Sequence, residues 1–125
     1  GTRDLSPFLA VGAAIDFVEA HDWAAVQAEG HRLTMLTRRA VDELTGLAPI
    51  SPDEPVDHEW IGQLASIRLP NLVDVVELKH RLFAEHRVEV PVHRWNDRAF
   101  VRVSFTAHNT AADSEALVAA LRALL

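Results

Sequence analysis

RAFVRVSFTAHNTAAD (residues 98–113) decides the fold, because the chain passes there from a period of two to the opening of a helix. In an extended chain Val101, Val103 and Phe105 point one way, while Phe100, Arg102 and Ser104 point the other. The first set belongs against helices; the second faces solvent or a second domain. Past the strand, Thr110 and Asp113 have the spacing of a capping box, which opens a helix to Leu125 with Leu117, Leu121 and Leu124 as its contact stripe. Arg102 interrupts the outer face of the strand. Either its stem lies along Phe100 with the head in water, or the guanidinium awaits an anion, which it can grip with two parallel charge-assisted hydrogen bonds.

Upstream, HRWNDR (residues 93–98) has turn character through Asn96 and Asp97. RVEVPV (residues 87–92) reads as a strand with Val88, Val90 and Val92 on one face and Pro91 on the other, at an edge where its missing N–H is harmless. Asp74 and Glu77 form a second capping box, for a helix to about His86 that buries Val75, Leu78, Leu82 and Phe83. WIGQLASIRL (residues 60–69) reads as a strand in which Ile61, Ala65 and Ile67 share a parity, and Pro70 ends it. Before it, APISPDEPVDHEW (residues 48–60) has three prolines and four acids, the composition of a loop.

Asp22 can cap a long helix through about Thr45, which Gly46 stops. Its dry side would be Trp23, Val26, Leu33, Leu36, Ala40 and Leu44; Gln27, Glu29, Arg32, Arg38, Arg39 and Glu43 would be wet. Ser6 followed by Pro7 starts the first helix, from Pro7 to about Glu19, with the serine hydroxyl as cap. Phe8, Leu9, Val11, Ala14, Ile15, Phe17 and Val18 occupy more than one of its faces. Such a helix wants neighbours on several sides. The order is α-α-β-α-β-β-α, an α+β two-layer sandwich with a mainly antiparallel three-stranded sheet and helices on one face.

The length of 125 residues suits one modest domain. A net charge of −6 argues against nucleic acid or an anionic membrane as partner, since a polyanion needs a concentrated basic field. Cysteine is absent, which removes disulfides, thiolate nucleophiles and thiolate metal sites. No apolar run reaches a membrane-spanning length, and GTRDLSPF lacks the features of a signal peptide, so a cytoplasmic location is expected. The missing initiator methionine fits a chain that was processed or cut from a longer one.

No two of the seven histidines have the spacing of a helical metal pair, and neither a nucleophile elbow nor a glycine-rich phosphate loop occurs. His108 lies at the strand-to-helix junction shortly after Arg102, and Trp95 could line a pocket beside Arg102 if the adjacent strands pair as a hairpin. At the other end GTRD offers Gly1, the Thr2 hydroxyl and free backbone N–H groups near a helix start, which is either a phosphate-attracting arrangement or a frayed terminus.

In GTRDLSPFLAVGAAIDFVE (residues 1–19) and VEVPVHRWNDRAFVRVSFTAHNTAADSEALVAALRAL (residues 88–124) the chain resembles the C-terminal portion of class V aminotransferase-family enzymes, most closely the isopenicillin N epimerase-like branch. The resemblance implies the small domain of a fold-type-I enzyme that uses pyridoxal 5'-phosphate (PLP) in a full-length homodimer. It assigns Arg102 to the α-carboxylate of an amino acid substrate and Thr2 with Gly1 to the cofactor phosphate; by their place near Arg102, Trp95 and His108 are further substrate-binding candidates. Where the family often has a tyrosine before its Asn-Thr pair, His108 stands here, ahead of Asn109 and Thr110. Cysteine desulfurases share the first helix and the last motif but need a cysteine nucleophile, which is lacking.

The resemblance also implies a missing N-terminal large domain or companion chain that holds the Schiff-base lysine. Lys79, the one lysine, matches nothing catalytic in the family, so no residue of this chain alone would be catalytic. Residues 1–45 would then be connecting and packing helices leading from the large domain, and residues 46–125 the small α+β domain. The expected function is the C-terminal part of a PLP-dependent epimerase or aminotransferase-like enzyme. The alternatives are a stand-alone, non-catalytic binding or interaction module, or a fragment of a PLP-dependent carbon-sulfur lyase.

Overall fold

The computed structural model describes residues 3–52 and 60–125. Four helices and three strands follow in the order α1 (Ser6–Ala20), α2 (Trp23–Thr45), β1 (Leu64–Leu69), α3 (Val75–His86), β2 (Val92–Trp95), β3 (Arg98–Ser104) and α4 (Ala111–Leu124). The sheet order is β1-β3-β2 and both pairings are antiparallel. The α+β two-layer arrangement expected from the sequence is the one observed. The strand read first, β3, is the central one, so its backbone is pinned on both sides.

One face of the sheet meets the helices. Ala65, Ile67 and Leu69 of β1, Val92 of β2, and Ala99, Val101 and Val103 of β3 join Leu33 and Val41 of α2, Leu78 and Leu82 of α3, and Leu117, Ala120 and Leu121 of α4 in a single core. At roughly 1.5–3 kcal/mol per fully buried large apolar side chain, this layer contact is the main source of the fold's stability. α1 takes no part in it. None of its residues is buried, and Phe8, Leu9 and Phe17 are 66%, 81% and 53% exposed.

Several local expectations need correction. Ser6 does not cap α1; the cap position is Leu5, and the Asp4 carboxylate instead accepts the Ser6 N–H at 2.9 Å. The helix still begins where proline permits it to, because Pro7 needs no partner for a missing N–H. In α2 the buried residues are Gly30, Leu33, Thr34, Thr37, Arg38 and Val41, whereas Leu36 is 45% exposed and Arg38 only 2%. Leu33 and Leu44 meet the core as expected, but the stripe is rotated toward Thr34 and Thr37, because threonines can enter a core when their hydroxyls are satisfied. Thr34 donates to the Gly30 carbonyl at 2.8 Å and Thr37 to that of Leu33 at 2.7 Å. Arg38 is held by the Ser51 hydroxyl and the carbonyls of Ser51 and Pro52.

β1 is shorter than expected, starting at Leu64, although Ile61, Ala65 and Ile67 are all buried. Residues 88–91 are not a strand. The end of α3 explains why: Arg87 takes the left-handed conformation, its N–H and that of Val88 return to the last helical carbonyls, and Pro91 cannot donate to a ladder. Val88 and Val90 still pack against the core, so the apolar parity was legible while the hydrogen bonding was not. Conversely His93, Arg94 and Trp95 join Val92 in β2, and the turn is confined to Asn96 and Asp97, both at positive φ (45° and 58°) between paired Trp95 and Arg98. That is the two-residue hairpin whose twist matches the strands it joins. Phe83 is 51% exposed and does not join the α3 core face.

Candidate functional site

The sheet face turned away from the helices carries the candidate residues Arg102 and Trp95. Alternation fixes its membership: Leu64, Ser66 and Arg68 from β1, His93 and Trp95 from β2, and Arg98, Phe100, Arg102 and Ser104 from β3. None of the three strands contains an acidic residue, although the whole chain has a net charge of −6. The face is therefore a cationic surface on an anionic protein.

Arg102 lies at its centre. Directly across on β1 is Ser66, and on the other side the Arg102 N–H donates to the Pro91 carbonyl at 2.9 Å. The side chain is exposed and, among the described residues, its guanidinium has neither a hydrogen bond nor an ion pair. An arginine mounted on a strand bonded along both edges has its fork aimed by the backbone, and here nothing within the described chain occupies it.

Phe100, two residues before Arg102, is 2% exposed yet stands apart from the core cluster. Its ring stacks on that of His93 (centroids 5.6 Å apart, planes at 21°), and Arg68 is its cross-strand neighbour on β1. The covered Phe100 ring, stacked on His93, thus stiffens the sheet next to the cations. Trp95 shares the face but pairs with Arg98, four residues along β3 from Arg102, a distance of about 13 Å at the usual rise. The hairpin forms, then, and it places the Phe100–His93 pair, rather than Trp95, nearest Arg102.

His108 is exposed in the turn after β3, where the Asn109 side chain accepts the Thr106 N–H at 3.0 Å and the Asn109 N–H returns to the Thr106 carbonyl at 3.0 Å. Asn109 therefore builds the corner from strand to helix. At the start of α4 the Asp113 carboxylate accepts the Thr110 N–H at 2.8 Å, which closes the capping box read in the sequence. That hydrogen bond is the main reason the Asp113 carboxyl is held below its ordinary value; bonds from Asn109 and Thr110 and the charge of His108 add to it. Thr2 and Gly1 lie outside the described residues.

Lys79 is exposed on α3, in the helical layer, with the sheet between it and Arg102. It borders a mostly apolar hollow of about 380 Å³ with Val76, His80, Phe83, Glu89 and Val90. No group of three or more metal-binding side chains occurs among the described residues, and none of their helices is long and apolar enough to cross a membrane.

Sequence reasoning missed Arg68. The signal was present in ASIRLP, where Ser66 and Arg68 alternate with Ala65, Ile67 and Leu69 just as Arg102 alternates with Val101 and Val103. Its Nε is buried and, among the described residues, has no hydrogen-bond partner.

An outward arginine, without a partner among the described residues, stands on the central strand of this fold. Isopenicillin N epimerase of Amycolatopsis lactamdurans is 36% identical over 124 residues, and that of Streptomyces clavuligerus 32%; each alignment covers 99% of this chain. The chain resembles isopenicillin N epimerases from end to end. It spans 30% of the length of these epimerases. No family model matches it. In fold it is similar to alanine-glyoxylate aminotransferase from Nostoc sp. (TM-score 0.59, 20% identity, 76% of this chain and 24% of that one) and to 8-amino-7-oxononanoate synthase from Francisella tularensis (TM-score 0.62, 22% identity, 90% and 31%).

Proposed function

We propose that the chain is the C-terminal, small-domain part of a PLP-dependent enzyme that acts on an amino acid, epimerase-like or aminotransferase-like, and that Arg102 holds the substrate's α-carboxylate. The observation that carries this reading is the fork of Arg102, set on the central strand and without a partner among the described residues. Held there, a carboxylate is fixed in orientation as well as in place, which leaves the bonds at the α-carbon pointing in defined directions. Orientation of this kind lowers a barrier, whereas binding that is equal in substrate and transition state does not.

The described residues suit the substrate's acid end and not the covalent end of the cofactor. PLP, when bound, supplies an electron sink for charge developing at the α-carbon. Lys79 is across the sheet from Arg102, so the amine that attaches PLP belongs to the rest of the polypeptide. Thr2, with Gly1, is assigned by the family motif to the cofactor phosphate. On this reading residues 1–45 lead from the large domain and residues 46–125 form the small one, in a cytoplasmic homodimer. The bare α1 supports it, since an apolar surface of that extent is ordinarily an interface, and about two thirds of the relatives' length is available to cover it.

The test is Arg102→Ala in the full-length protein. Amino acid turnover should fall by roughly 100-fold or more in kcat/KM, with the visible absorption of bound PLP retained. Unaltered kinetics would refute the assignment.

A further inference from the structure

α3 gives one side to the core, where Leu78 and Leu82 are buried, and leaves apolar residues on the other, where Val76 is 75% exposed and Phe83 51%. Exposed apolar side chains are ordinary when they occur singly. These two do not. Together with Val90, from the extended segment that follows the helix, they line the mostly apolar hollow of about 380 Å³. A concavity of that volume is within the range of small-ligand sites, which combine an apolar lining with a few polar groups that fix orientation.

The polar groups of this hollow include two of opposite sign. Lys79 borders it from α3, and Glu89 from the segment after the helix. Among the described residues neither has a hydrogen bond or an ion pair, so the hollow holds the two charges apart. The same helix pairs its charges where geometry permits, since Arg81 grips the Glu85 carboxylate at 2.7 and 3.0 Å. A cation and an anion kept apart beside an apolar lining complement a molecule that carries both opposite charges and an apolar body. The simplest such molecule is a free amino acid with a hydrocarbon side chain.

We propose that the hollow on α3 binds a free amino acid with an apolar side chain of leucine size. Its carboxylate meets the Lys79 ammonium, its ammonium meets the Glu89 carboxylate, and its side chain lies against Val76, Phe83 and Val90. The sheet stands between this hollow and Arg102, so the inference does not rest on the reading of that residue. It gives Lys79 a binding role that involves no covalent chemistry.

The full-length, PLP-loaded protein is first treated with aminooxyacetate, which converts the cofactor to an oxime so that no amino acid can react there. It is then titrated calorimetrically with leucine, with isocaproate, which lacks the ammonium, and with isoamylamine, which lacks the carboxylate. Leucine should bind about 3–10-fold more tightly than either, the range expected of one charge-assisted pair open to solvent. Glycine, with no side chain to place on the lining, should bind about tenfold more weakly than leucine. Lys79→Gln should bring leucine and isoamylamine within about twofold while the preference over isocaproate remains, and Glu89→Gln should do the reverse. Arg102→Ala should leave these affinities as they are. Absence of leucine binding, equal binding of leucine, isocaproate and isoamylamine, or preferences that survive in both the Lys79 and the Glu89 variant would each overturn the proposal. So would leucine binding that disappears in Arg102→Ala, because it would place the ligand on the other side of the sheet.

Discussion

Ser66 on β1 lies directly opposite Arg102 on β3, on the sheet face that carries no acid. The short hydroxyl leaves the guanidinium unobstructed. A carboxylate at position 66 would change that, because opposite charges placed across a strand pair attract each other. Ser66→Glu should therefore neutralise Arg102 from within and depress kcat/KM about as much as Arg102→Ala does, with stability unchanged or slightly raised. Full activity in Ser66→Glu would show that the fork is not used.

Two hydroxyls tie α2 to α4. The Thr37 and Ser114 oxygens are 2.7 Å apart, both residues are buried, and Thr37 already donates to the Leu33 carbonyl, so Ser114 donates to Thr37. Thr37→Val strands the Ser114 hydroxyl and should cost about 1–3 kcal/mol in urea unfolding of the full-length protein. Adding Ser114→Ala should recover part of that loss, a coupling that a double-mutant cycle would measure.

Gly30 is required by close approach. A Cβ there would come within 2.5 Å of the Gln63 Nε2 and 2.9 Å of the Phe105 carbonyl oxygen. The amide that would have to move is bonded to that same carbonyl at 2.9 Å. Gly30→Ala should destabilise by about 1–3 kcal/mol in spite of alanine's better helix propensity, with a lowered Tm as the measure.

Much of this was legible in the sequence. The caps at Asp22, Asp74 and Thr110, the stop at Gly46 and the parity of β3 are local devices, each written in residues a few positions apart. Elements failed where the outcome depended on distant partners. Thr34, Thr37 and Arg38 look wet until carbonyls and a loop satisfy them, and residues 88–91 alternate like a strand but reach β3 through the Pro91 carbonyl without forming a strand of their own. At the candidate site Arg102 could be read from alternation alone. Arg68 could not be related to it without the β1–β3 register, which no single strand encodes.

The Asp113 cap sets a pH dependence. Its folded-state carboxyl titrates below the ordinary value of 3.8, chiefly because the Thr110 N–H bonds the ionised form. A depressed carboxyl stabilises the fold above its unfolded value, and that contribution disappears as pH falls through the folded one. The stability gap between the natural protein and Asp113→Ala should hence be constant near neutrality and narrow below pH 3.8. A gap independent of pH down to strong acid would contradict the cap's electrostatic role.

α1 has fifteen residues and no contact that buries any of them. Helices of that length are marginal alone in water, so on the proposed reading its order would come from the large domain that covers it. Docking and coiling would then be one thermodynamic event. Its signature is a calorimetric association enthalpy larger than the contact area accounts for, accompanied by a gain in far-ultraviolet ellipticity.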